Sequence, residues 1–88
     1  MHIHPVYRRY QTDPVTLTVT EDIDGRASAY VFIYREEQYT AVADTRVEAV
    51  WFWNVIDVDG SSLLPFGRSL IESAVNCALD ALDLKHEN

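Results

Sequence analysis

Val15-Thr16-Leu17-Thr18-Val19-Thr20 alternates an apolar side chain with a threonine at every step. Across Asp22-Ile23-Asp24-Gly25 it is followed by Ala27-Ser28-Ala29-Tyr30-Val31-Phe32-Ile33-Tyr34. A period of two sends successive side chains to opposite faces of a strand, so the first segment predicts a half-exposed strand with three threonines in water. The second segment is apolar on both faces, with Ala27, Ala29, Val31 and Ile33 on one and Tyr30, Phe32 and Tyr34 on the other. Asp-Gly supplies the positive φ that a tight hairpin turn requires. Working outward, Arg35-Glu36-Glu37 predicts a charged turn and Gln38 to Ala43 a short third strand. Val47 to Val58 predicts a long fourth strand, ended by a second Asp-Gly at Asp59-Gly60. Its Trp51, Trp53 and Val55 point one way, and Val50, Phe52, Ile56 and Val58 the other.

Beyond Leu63 the period lengthens. Leu64, Ile71, Val75, Ala78 and Leu82 recur at helical spacing, while Arg68, Glu72, Asn76, Asp80 and Asp83 form a polar stripe. This predicts an amphipathic helix over 63–84. Ser62 would cap it, with Pro65 tolerated in the first turn; the capping box Ser69-Leu70-Ile71-Glu72 offers a later start. The expected fold is α+β: a four-stranded antiparallel β-meander over 15–58 with one C-terminal helix packed on one face. Residues 1–14 are expected as an irregular N-terminal segment, and 1–88 as a single domain.

Composition bounds the function. With 48% apolar and 24% charged side chains, the chain can build one modest core. One cysteine, Cys77, excludes an internal disulfide framework and a cysteine-built zinc site. Fourteen acidic against seven basic side chains give a net charge of −7, which argues against phosphate backbones and anionic membranes as partners. No apolar run reaches the roughly 18 residues of a membrane span. Met1-His2-Ile3-His4-Pro5 lacks a signal-peptide pattern, so the expected location is cytoplasmic.

Several motifs invite chemistry. Val55-Ile56-Asp57-Val58-Asp59-Gly60-Ser61-Ser62-Leu63 resembles the first motif of the haloacid dehalogenase phosphatases. In that family the first aspartate is the nucleophile and the second the general acid, beside a magnesium ion. The resemblance covers nine of 88 residues, and the 25 that follow leave no room for that family's parallel sheet. A calcium loop of the EF-hand type needs glycine sixth and glutamate twelfth; counted from Asp57, Gly60 is fourth and Arg68 twelfth. His2 and His4 share a side of an extended segment, but their ligand set is incomplete. Cys77 sits well inside the predicted helix without a cationic neighbour, as a buried small hydrophobe does. Aromatic residues on a sheet can stack bases, but a single lysine and six scattered arginines are a thin basic complement. No catalytic residue, metal site or cofactor is therefore expected.

The surplus of large apolar side chains is the informative feature. One helix covers one face of a sheet, and strands apolar on both faces are normally covered on both. Tyr30, Phe32, Tyr34, Trp51 and Trp53 are the candidate interaction surface. Strand register, which decides the set that meets the helix, stays open at this point. The expectation is a non-enzymatic protein-interaction module, a homodimer or one docking to another protein. The alternatives are an acidic mimic of DNA, of phage or plasmid type, that occupies a basic nucleic-acid-binding protein, and a small ligand-binding or enzyme subunit.

Overall fold

The computed structural model describes residues 3–8, 13–46 and 49–87. Among these residues five strands precede one helix: β1 (Ile3–Val6), β2 (Val15–Ile23), β3 (Arg26–Tyr34), β4 (Glu37–Asp44), β5 (Phe52–Ile56) and α1 (Ile71–His86). The strands pair antiparallel in sequence order, β1-β2-β3-β4-β5. The α+β meander with its C-terminal helix is as the sequence predicts, but the sheet has five strands, not four. The extra strand lies in the segment predicted to be irregular. Val6 pairs with Val15 and is fully buried, which anchors β1 to the core. Pro5 is tolerated because β1 is an edge strand, where one backbone side has no ladder bond to lose. The predicted fourth strand shortens to Phe52–Ile56; Val47 lies outside the described residues, as do His2 and Arg9.

The two tight hairpins use different residues for the same geometry. Asp24 and Gly25 take φ of 52° and 83° between β2 and β3. Arg35 and Glu36 take 51° and 67° between β3 and β4, where no glycine relieves the strain. A left-handed residue with a Cβ costs roughly 1–2 kcal/mol, so this second turn needs support from its surroundings.

The helix begins at Ile71, eight residues later than the preferred start, and neither serine caps it. Leu70 is the N-cap, extended and without a side-chain bond to the first turn. Ser62 instead donates to Asn54 Oδ1 (2.8 Å) and accepts from the Leu64 amide (3.3 Å). Residues 61–68 run as a strap along the outer edge of β5. Trp53 and Arg68 exchange backbone bonds of 2.6 and 2.8 Å, and the Leu63 amide bonds the Val55 carbonyl at 2.8 Å. Gly67 permits this approach: a Cβ there would stand 3.0 Å from that of Phe52. Leu64, expected in the helix stripe, reaches the core from the strap instead.

The core lies between one sheet face and α1. From α1 come Ile71, Ala74, Val75, Ala78, Leu79 and Leu82 at alternating steps of three and one, the stripe an amphipathic helix buries. They meet Val6, Leu17, Phe32, Tyr39, Ala41, Trp53 and Val55 of the sheet, and Cys77 packs half-buried against the same cluster.

Candidate interaction surface

Register decides which face the helix covers. Val19, Tyr30, Ala41 and Val55 stand opposite one another across four strands, and Phe32 stands opposite Tyr39. These residues all face α1. Ala41 and Ala43 leave room on β4 for the large rings beside them. Phe32 and Tyr39 stack with centroids 5.6 Å apart, Tyr30 and Trp53 meet at 5.7 Å, and the His4 ring meets Tyr30 edge-on at 5.9 Å.

The five aromatic residues singled out from the sequence therefore do not form a free surface. Phe32, Trp51 and Trp53 are only 2%, 7% and 7% exposed, and Tyr30 and Tyr34 are half-buried against the core. The Arg26 guanidinium lies 3.8 Å from the Trp51 ring centre and covers part of what the helix does not. The expectation is corrected for a physical reason: Tyr30, Phe32 and Tyr34 share their face with Trp53, so one helix shelters both sets together.

The polar clusters are committed to the fold. Asp83 on α1 accepts from Arg8 (2.8 Å), from the Tyr34 hydroxyl (2.5 Å) and from Arg35 (3.1 Å), while Arg8 also donates to Asp80 (2.7 Å). Burial opposes the charge on Asp83, but the bonds from Tyr34, Arg8 and Arg35 outweigh it and hold the carboxyl at about 2. Burial, then the bond to Asp83, pushes the Tyr34 phenol up. This cluster ties the chain after β1 and the strained Arg35-Glu36 turn to the last turns of the helix. At the other end of the helix, His4 Nε2 bonds Glu72 at 2.7 Å. Asp44 is held at about 2 by side-chain and backbone bonds from Arg46. In the segment that resembles the phosphatase motif, Asp57 Oδ1 accepts from the amides of Asp59 (2.9 Å) and Ser61 (3.0 Å), closing a turn with Gly60 at φ 83°. That carboxylate is a turn cap, at the end of an antiparallel strand rather than a parallel one. Among the described residues no three His, Cys, Asp or Glu side chains gather as a metal site, and no helix is long and apolar enough to cross a membrane.

The surface left open is the opposite sheet face. Ile3, Thr18, Val31, Thr40 and Ile56 form one unbroken cross-strand row over all five strands. Ile33 and Gln38 lie on one side of that row; Ala29, Val42 and Asn54 lie on the other. Ile33 is 61% exposed and Phe52 44%, while Val31, Val42 and Ile56 are half-buried by their neighbours alone. The ionisable side chains among the described residues of this face, Glu21, Asp22 and Asp44, sit toward one end. There a shallow cleft of about 360 Å³ opens between Val42, Ala43, Asp44, Phe52, Asn54 and Gly67.

The sequence carries both alternations but not their relative register. The usable signal lay in β4, Tyr39-Thr40-Ala41-Val42-Ala43, where one tyrosine and two alanines mark the covered side and Thr40 and Val42 the open one. No protein-family model matches the chain, and neither a curated protein nor a solved structure matches it.

Proposed function

We propose that this chain is a small, acidic, non-enzymatic protein-interaction module that self-associates. The observation that supports it is the open sheet face. In a chain of net charge −7, the rows through Val31 and Ile33 carry branched apolar side chains, threonines and a glutamine, with the acids displaced to one end. An ordinary solvated sheet face spreads charge across its centre; a neutral apolar centre suits burial against a like surface. The carboxylates of Asp44, Asp57 and Asp83 are each engaged by hydrogen bonds within the fold.

Sedimentation velocity of the purified chain, from about 5 to 500 µM, tests the reading in the range where modest interfaces dissociate. The expected mass rises from 10.1 kDa toward twice that value. Added salt should favour the rise, because it screens repulsion between two acidic copies. A mass of 10.1 kDa at every concentration overturns the proposal.

A second reading, an acidic mimic that occupies a basic nucleic-acid-binding protein, draws on Glu21, Asp22 and Asp24, all exposed around the β2–β3 turn. It is marked by the opposite salt dependence, since attraction between unlike charges weakens as salt rises.

A further inference from the structure

We infer that two copies of this chain stack sheet on sheet, each laying its Ile3–Thr18–Val31–Thr40–Ile56 row against the other's, instead of joining strands edge to edge. The inference rests on the self-association reading and adds the surface and the geometry.

Elimination carries the first part. A sheet grows at its edges only where backbone donors and acceptors are unpaired. The β5 edge is already taken: Trp53 exchanges both backbone bonds with Arg68, and the Val55 carbonyl accepts from Leu63. The β1 edge carries Pro5 in the middle of four residues, and proline offers no N–H to an incoming strand. The other face is filled by α1. Val58, Phe66 and Leu70 are exposed too, outside the sheet, whereas the open face offers a row that continues across all five strands.

Charge and size carry the second part. A partner for this face must itself be neutral and apolar at the centre, and the same face on another copy meets that demand. Two chains of −7 repel at long range, yet contact through the central rows brings no pair of like charges together. Five strands about 4.8 Å apart, with a neutral stretch of about five residues each, give a footprint of roughly 24 by 17 Å. That is about 400 Å², below the roughly 600 Å² per partner of the smaller specific interfaces, so the dimer should be weak, reversible and concentration-dependent. Sheets packed this way sit about 10 Å apart with strands aligned within about 30°. In a two-fold contact the middle of the patch meets itself, which places Val31 and Thr40 near the axis.

Charge complementation at Thr40 tests this. Thr40 is half-buried on the open face, and a lysine or glutamate there can reach water in the free protomer. Thr40→Lys and Thr40→Glu, each alone, should self-associate more than about a hundredfold more weakly than the parent, because two like charges then face one another in a desolvated contact. Mixing the two should restore a dimer, which also shows that both variants fold. Ser61→Lys, on the strap, should associate as the parent does. If the parent dimerises and both Thr40 variants dimerise equally well, or their mixture stays monomeric, the face-to-face arrangement is overturned while self-association stands. A monomeric parent overturns the self-association reading itself.

Discussion

Phe32 and Ile33 are neighbours in β3, yet one is 2% exposed and the other 61%. The difference follows from the pleat: Phe32 looks toward α1 and stacks on Tyr39, whereas Ile33 looks away, opposite Gln38. Both residues are apolar, and neither composition nor hydropathy separates them. The pair teaches that in this chain a greasy side chain serves the fold or the surface according to its parity along the strand, and the helix decides which parity is which.

The largest break in that contrast is Phe32→Ala. Truncating an aromatic ring in a packed core costs about 3–5 kcal/mol, and urea denaturation should show a loss in that range. Next comes the clasp that holds the covering helix. Asp83→Asn should cost about 1–2 kcal/mol at neutral pH, because the carboxylate accepts charge-assisted bonds from Arg8 and Arg35 and is not fully solvated. The pH dependence has a fixed sign. The Asp83 carboxyl is lowered from 3.8 to about 2 in the folded protein, so its contribution is complete above the unfolded value and is lost as pH falls from about 4 toward 2. The stability gap between parent and variant should close over that interval; a gap that persists at pH 2 contradicts the assignment. The smallest effect is expected from Ile33→Thr. It keeps a β-branched strand residue at an exposed position, and should change the stability of the protomer by less than about 0.5 kcal/mol. A loss comparable to that of Phe32→Ala would show that something within the protomer covers the open face.

Much of the architecture is legible in the residues. The threonine alternation of β2, the two-faced run of β3 and the Asp24-Gly25 turn identify the central hairpin without coordinates. Two parts are not. β1 is four residues long and contains Pro5, so no local pattern distinguishes it from a loop; pairing with β2 and the burial of Val6 make it a strand. The stretch from Leu63 to Ser69 carries apolar residues at helical spacing, but Pro65 and Gly67 lie within it. Its backbone bonds to the edge of β5 instead of to itself. The candidate surface was misplaced for a related reason. The aromatic bulk reads as more than one helix shelters, but Ala41, Ala43, Ala74 and Ala78 are small enough to let the rings and α1 close together.

The strap along β5 sets a limit on growth. With one border of the sheet hydrogen-bonded to its own loop and the other interrupted by an imino acid, both ends are poor templates for another molecule. An assembly built on the remaining flat side consumes that side in both members at once. On the proposed pairing, assembly would therefore stop at two copies, and the apolar plane would not propagate into fibres.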